Sequence, residues 1–474
     1  MYMLLSALPV VSVIAALLAG WRSLYAALVG VAAALLAIAM AFAQPASIWM
    51  AAAIHWAPVL LEVVLIVGGG LLLSEVLRQS GAQKALADWL LVRAGSGTGA
   101  VLLVVHGITP FAESVTGFGV GVTIGIPLLA HFGLPARKVA LIGLLGLCAV
   151  PWGSMGPGTL VAATMADLPF KDLGEASALV SMIPFAITGM VAAGLASAPG
   201  RLSLALLQGL LSGLLLTAAV ALMNAVAGTA PAGALGALVV VSFHLLRMRR
   251  PQQAQPLHPL GRRALAAYVL LLGGVLVRAL GLPGLWHGLA SPGLWLLLAA
   301  GFFARGLPER ESLQRVWRSW AQVAPVTALF ITLGVLMAVS GMAGQLAHAL
   351  AQSGPLYLLA APFVGALGGF VTGSNTGANV MFPRRLKRRT GRGRHSGRDC
   401  PCAECTTASF YGRAQRQRFA VAHGFAGQGG DGGATGARRN GSAALGAAKR
   451  AGRGSDRRGA DGAAQPSLGQ GLRQ

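Results

Sequence analysis

The sequence contains few charged residues. Only 11% of its 474 residues are Asp, Glu, Lys or Arg, whereas 55% are hydrophobic and the mean hydropathy is +0.67. Soluble globular domains carry about 25% charged residues, so this composition excludes an ordinary soluble protein. Apolar windows of about 20 residues recur along the chain, and each is long enough to cross a bilayer as a helix. We therefore predict an all-α polytopic membrane protein with roughly 11 to 12 spans.

Signatures of common enzymes are also missing. The chain has no H-E-x-x-H, no G-x-S-x-G and no Walker A sequence, which argues against a metalloprotease, a serine hydrolase and a nucleotide-driven pump. Its four cysteines do not form a zinc-ligand pattern. Cys148 stands alone in an apolar span, and Cys400, Cys402 and Cys405 have no fourth ligand at zinc spacing. We predict no enzyme activity, no metal site and no cofactor.

Positive charge is concentrated at the end of the sequence. Of the net charge of +23, residues 384–474 contribute +14, from 19 basic and 5 acidic residues in Gly/Arg/Ala-rich sequence. Such a composition cannot bury enough apolar surface to offset the entropy of ordering. We predict a transmembrane transporter domain over 1–382, incomplete at its C-terminal end, and a disordered basic tail over 383–474.

Three origins of this tail compete. It could be a nucleic-acid-binding arm, a polybasic segment that binds lipid, or the out-of-frame translation of a GC-rich gene. Codons rich in G and C encode Arg, Gly and Ala in a wrong frame, and the change in composition comes in the middle of a motif. We favour the out-of-frame origin and predict no nucleic-acid partner.

The tripeptide Val-Thr-Gly occurs twice, each time where polar residues and glycines break an apolar region. The first copy lies in the segment 109–119 and the second in the segment 368–379, so Thr116 and Thr372 are in opposite halves of the apolar region. Non-helical backbone at bilayer depth persists only where protein or a water-filled cavity satisfies its polar groups. Paired broken segments in corresponding halves point to a transporter's binding site. We predict two broken or re-entrant segments in an inverted repeat.

Glu113 is the central acidic residue of the first segment. An acidic side chain at the bilayer centre costs roughly 2.5–3.5 kcal/mol on insertion scales, so it normally faces a cavity or the bundle interior. We predict that Glu113 couples transport to protons and that Ser114, Thr116 and Gly117 contribute to substrate binding. Two structural alternatives remain open, namely a helix N-cap and a buried partner for His106.

The second segment carries neutral donors instead of a carboxylate. Hydroxyl and amide groups bind small anions well, especially beside helix N-termini with free N–H groups. Polar contacts between membrane helices are the alternative. The predicted substrate-binding residues of this segment are Thr372, Gly373, Ser374, Asn375, Thr376 and Asn379.

Both segments resemble the motifs of one family. Residues 110–119, Pro-Phe-Ala-Glu-Ser-Val-Thr-Gly-Phe-Gly, are similar to a signature of bacterial L-lactate permeases, and residues 370–379 are similar to that family's late T-G-S-[DN]-T segment. The break at 152–157, Trp-Gly-Ser-Met-Gly-Pro, falls where the family has another small-residue break. The resemblance covers about residues 1–382.

The resemblance implies import of lactate and related 2-hydroxy monocarboxylates such as glycolate, by proton symport across the bacterial inner membrane. The implied partners are a small organic acid, protons and the lipid bilayer. Two alternatives stay open: a transporter of another organic anion, and a truncated permease product that transports nothing. The family continues with apolar sequence after the second motif, whereas this chain turns basic at Pro383.

Overall fold

The structure is a computed structural model that describes residues 1–95, 97–117, 119–248, 256–276, 291–305, 309–352 and Asn379. In this part of the chain the backbone is helical apart from short connections. The α-helices are α1 Tyr2–Leu18, α2 Ser23–Ala41, α3 Ala46–Gln79, α4 Ala82–Ala94, α5 Thr98–Leu102, α6 Thr109–Thr116, α7 Val120–Ala130, α8 Ala136–Leu145, α9 Pro157–Ala166, α10 Phe170–Val180, α11 Met182–Ala196, α12 Leu202–Ala227, α13 Thr229–Arg247, α14 Pro259–Leu276, α15 Pro292–Ala304, α16 Arg310–Ser340 and α17 Met342–Gln352.

The helical class follows from the hydrocarbon environment that the apolar composition indicates. A backbone in hydrocarbon must satisfy its N–H and C=O groups internally, which long runs of Leu, Ala and Val do by forming helices. Among the described residues eight helices are long and apolar enough to cross a membrane, or up to nine if the bent pair α10 and α11 forms one span. The predicted all-α polytopic membrane class is confirmed. The number of 11 to 12 spans and the inverted repeat stay predictions, because much of the second half lies outside the described residues.

Three segments interrupt the regular α-helical pattern. Residues 98–116 are helical throughout, with a π-helical segment, Leu103–Ile108, between α5 and α6. Helices α8 and α9 are joined by a kinked 3₁₀ segment, Gly146–Met155. Helices α10 and α11 are bent by 40° at the break between them.

Helices α11 and α12 pack with their backbones in direct contact. Gly189 of α11 and Gly209 of α12 face each other, and a Cβ built on either one would lie 2.3 Å from the carbonyl oxygen of the other. Small residues allow such an approach, which maximises van der Waals contact where no hydrophobic force operates between lipid-immersed helices. The pair fixes α11 and α12 beside the π-helical segment, because the Cβ of Gly189 would also lie 2.5 Å from His106 Cε1.

We expect Gly189→Ala to destabilise the protein. The added methyl group must push α12 away, and overpacking of this kind costs about 1–3 kcal/mol. Gly194→Ala is the matched control on the same helix, because its Cβ would lie 3.4 Å from Leu206 Cδ2, an ordinary contact. Thermal midpoints of the two purified variants in detergent test this expectation. Equal midpoints would contradict it.

Candidate functional site

The first Val-Thr-Gly segment forms the tip of a helical hairpin. Helix α6 ends at Thr116, Gly117 and Gly119 adopt positive φ of 69° and 78°, and α7 then returns along α6. The two arms touch closely, since a Cβ on Gly121 of α7 would lie 2.6 Å from the Thr109 carbonyl oxygen. The predicted break is thus present as a turn between two helices.

Glu113 caps the second arm of this hairpin. Its Oε1 accepts the Gly119 N–H and its Oε2 accepts the Gly121 N–H, both at 3.1 Å. The side chain is only 7% exposed. A carboxylate is well suited to the free N–H groups and the positive dipole end at a helix N-terminus. The N-cap alternative raised from the sequence therefore describes the observed geometry.

The other structural alternative is not observed. His106 does not bond Glu113; its Nδ1 lies 3.0 Å from Ser212 Oγ and its Nε2 lies 3.3 Å from Thr188 Oγ1. The imidazole therefore belongs to a separate polar network, and the two hydrogen bonds given above link the Glu113 carboxylate to the hairpin tip.

The three predicted neighbours of Glu113 take different positions. Ser114 is fully buried, and its hydroxyl has no hydrogen-bond partner among the described residues. Thr116 donates its hydroxyl to the Ala112 carbonyl at 2.6 Å, so it braces the end of α6. Gly117 lies against Ser154, and a Cβ there would come within 2.5 Å of Ser154 Cβ. Of the three, Ser114 alone has a hydroxyl left to bind a ligand.

The break at 152–157 packs on the hairpin tip. Ser154 and Met155 adopt φ of 44° and 64°, a left-handed conformation that is strained for residues other than glycine. Gly153 faces Glu113, whose Cγ would lie 3.7 Å from a Cβ built there. Trp152 is fully buried, and neither its indole nitrogen nor the Ser154 hydroxyl has a hydrogen-bond partner among the described residues.

Two glycines of other helices close the site. A Cβ on Gly70 of α3 would lie 2.9 Å from Ser154 Oγ, and a Cβ on Gly233 of α13 would lie 2.6 Å from Ser114 Oγ. The sequence interpretation did not identify either residue. The Gly68-Gly-Gly70 run was a usable signal for the first, because consecutive glycines in a helix imply a close neighbour. Gly233 had no comparable signal.

Only one residue of the second segment can be placed. Asn379 is fully buried, and its Nδ2 donates to the Gly158 carbonyl at 3.2 Å, next to the 152–157 break. This contact connects the second segment to the polypeptide that packs on the first. The other predicted donors lie outside the described residues: Thr372, Gly373, Ser374, Asn375 and Thr376.

A second carboxylate also accepts hydrogen bonds at a helix N-terminus. Glu62 of α3 accepts the Ser291 hydroxyl at 2.6 Å and the Gly293 N–H at 3.4 Å, at the N-terminus of α15. It is far from the hairpin in sequence and holds a different helix. Glu62 is half-buried, and it provides a comparison for the effect of capping alone on an acidic residue.

Comparisons with known proteins agree with the motifs. The L-lactate permease family model matches residues 285–399, a stretch that includes the second segment. An L-lactate permease of Streptococcus iniae is 25% identical over 330 residues, which cover 60% of this chain and 68% of the relative. No solved structure matches the chain. The resemblance to the L-lactate permease family is confirmed by both matches.

Proposed function

We propose that this protein imports L-lactate and related 2-hydroxy monocarboxylates, glycolate among them, by proton symport across the bacterial inner membrane. The observation that carries the proposal is the set of groups at the hairpin tip. The Glu113 carboxylate is buried at the tip, and three groups on the two segments that pack there have no hydrogen-bond partner among the described residues, namely the Ser114 and Ser154 hydroxyls and the Trp152 indole N–H. An unpaired buried donor costs about 1–3 kcal/mol, which a polar ligand can recover by accepting its hydrogen bond.

The donors suit the carboxylate end of a 2-hydroxy acid. A lactate carboxylate accepts hydrogen bonds from hydroxyl and indole groups, so Ser114, Ser154 and Trp152 are the proposed substrate contacts from this half. The backbone at Gly117 lets α6 end beside Ser154. From the other half we propose Thr372, Gly373, Ser374, Asn375, Thr376 and Asn379.

Glu113 is the proposed coupling group, because its cap depends on its charge. An ionised carboxylate accepts the N–H groups of Gly119 and Gly121 at the start of α7 and complements the helix dipole. A protonated carboxyl group has lost that charge, and its O–H is a donor, which cannot accept a backbone N–H. Proton binding therefore weakens the link between Glu113 and the start of α7. In this scheme the proton loosens the hairpin tip, which gives lactate access to the donors around it.

Proteoliposomes containing the purified 474-residue chain test the proposal. We expect an acidic exterior to drive uptake of labelled L-lactate and a protonophore to abolish it. With one proton per lactate, a gradient of one pH unit supports about tenfold accumulation, since a tenfold ratio corresponds to 1.4 kcal/mol. Unlabelled glycolate should compete, and acetate, which lacks the 2-hydroxyl group, should compete poorly.

Two results would favour the alternatives. Uptake that succinate inhibits better than glycolate would indicate a transporter of another organic anion. An absence of uptake under every gradient, from protein that is monodisperse in detergent, would indicate a product that transports nothing.

Ser114→Ala tests the hydroxyl contact. The variant loses one proposed donor to substrate but no hydrogen bond within the described protein. We expect a higher KM for lactate by about tenfold, the value of one hydrogen bond to a charged group, without a loss of thermal stability. An unchanged KM would remove Ser114 from the site.

A further inference from the structure

Two buried histidines are joined through one serine hydroxyl. Ser212 Oγ lies 3.0 Å from His106 Nδ1 and 3.0 Å from His244 Nε2, and His106 Nε2 lies 3.3 Å from Thr188 Oγ1. The four residues come from the π-helical segment, α11, α12 and α13. This chain of hydrogen bonds is separate from the cap made by Glu113.

The network is buried and is surrounded by unusual backbone geometry. His106 lies in the π-helical segment, a rare distortion that is frequent at functional sites. His106 is fully buried, Ser212 is 3% exposed and His244 is 8% exposed. The backbone contact of Gly189 with Gly209 described above lies beside the His106 ring, where any side chain at Gly189 would collide with Cε1. A buried histidine that served packing alone would not need a second histidine across a shared hydroxyl.

The hydroxyl can be arranged in two ways. It can donate to His106 Nδ1 while accepting an N–H from His244 Nε2, or it can donate to His244 Nε2 while accepting an N–H from His106 Nδ1. A serine hydroxyl has one hydrogen and two lone pairs, so both arrangements satisfy all three groups. Passage between them moves protons along the chain without moving a side chain.

The network leads inward from a helix end. His244 lies in the last turn of α13, one turn before Arg247, whereas His106 lies seven residues before Glu113 in the same helical run. The basic loop that follows Arg247 is predicted to be cytoplasmic. The described titratable neighbours are Arg247 beside His244 and Cys148, whose thiol bonds Thr188.

We propose that His244, Ser212 and His106 form a proton relay between the predicted cytoplasmic end of α13 and the interior beside the hairpin. In the outward-to-inward direction, protonated His106 gives its Nδ1 proton to Ser212 Oγ while the serine proton passes to His244 Nε2. The result is neutral His106 and protonated His244, which releases its other proton from Nδ1. One proton is transferred, and no bond other than N–H and O–H changes. The inference rests on the proposed proton symport.

Ser212→Ala tests the relay. The variant removes one oxygen atom and leaves both imidazoles in place, so the chain is interrupted with little change in volume. Ser181→Ala is the matched control, a buried serine whose hydroxyl bonds only the Ser177 carbonyl in the described structure. Both variants are reconstituted as the full chain and compared with wild type in two assays of labelled lactate.

The two assays separate proton transfer from structure. Uptake driven by an acidic exterior requires net proton release inside, whereas exchange of lactate against lactate does not. We expect Ser212→Ala to slow driven uptake at least about tenfold, a modest loss for a step that depends on positioned proton transfer, while exchange stays within twofold of wild type. His244→Gln should give the same pattern, because its amide keeps a hydrogen bond but neither takes up nor releases a proton.

Three other outcomes would overturn the relay, and each has a different implication for the proposed function. Normal driven uptake by Ser212→Ala would overturn the relay and leave the symport proposal intact. Equal losses of driven uptake and exchange would assign the network a structural role. Wild-type protein that shows neither activity would overturn the proposed function and the relay together.

Discussion

Glu113→Gln should abolish accumulation of lactate driven by a proton gradient while the protein remains folded. The amide keeps one acceptor for the cap on α7 but cannot take up a proton, and its NH₂ group cannot accept the second backbone N–H. Loss of one hydrogen bond to a charged group costs about 1.5–3 kcal/mol. Proteoliposomes should then equilibrate lactate, at most, and show no response to the pH gradient.

Glu62→Gln is the matched control for this experiment. Glu62 also accepts two hydrogen bonds at the start of a short helix, so the same substitution weakens a cap of the same kind. We expect gradient-driven accumulation by Glu62→Gln. If both variants lose it equally, the effect comes from helix capping and the coupling role of Glu113 is wrong.

Gly117→Ala should be the most damaging small substitution at the site. The residue has a φ of 69°, and its new Cβ would lie 2.5 Å from Ser154 Cβ, so strain and collision act together. With a ψ of −168° the residue lies in a region that is essentially restricted to glycine, and such backbone strain costs about 1–3 kcal/mol for a residue with a Cβ. The collision adds to this cost and separates α6 from the 152–157 break. We expect a low yield of folded protein and no lactate uptake.

Two further variants separate strain from collision. Gly119→Ala has a φ of 78° and a ψ of 8°, the milder left-handed helical region, and no atom lies within 4 Å of its Cβ, so it carries backbone strain without a collision and should retain uptake. Ser154→Gly combined with Gly117→Ala removes the colliding atom and should restore folded protein. Detergent-solubilised yield and thermal midpoint measure both effects. No recovery in the double variant would mean that Gly117 contacts Ser154 less closely than the structure indicates.

The sequence predicted the features that depend on the types of residue within one segment. Consecutive polar residues and glycines in apolar sequence predicted a break at Gly117, and the structure places the hairpin turn there. Glu113 was predicted to lie inside the bundle because a lone carboxylate cannot face lipid. Its cap was raised only as an alternative, since it reaches six and eight residues forward across a turn and differs from the usual local capping patterns.

Features that depend on distant partners were not predictable in the same way. The π-helical segment forms where Gly107 meets Val241 of α13, and no pattern near residue 107 reports that contact. His244 lies near the end of an apolar span, where the sequence favours a place at the membrane interface, yet it bonds Ser212 thirty-two residues earlier. The pairing of Ser154 with Gly117 likewise joins two segments whose sequences indicate breaks but not that the breaks meet.

The contact between Asn379 and Gly158 has a consequence for synthesis. Its two residues are separated by 221 positions, so at 5–20 residues per second the ribosome makes Asn379 on the order of 10–40 s after Gly158. The hairpin and the 152–157 break must therefore insert and persist without it. The bond between Glu62 and Ser291, 229 positions apart, is delayed in the same way. Completion of the site is thus a late event in membrane insertion, and a stalled or shortened nascent chain would expose a nearly assembled first half to quality-control proteases.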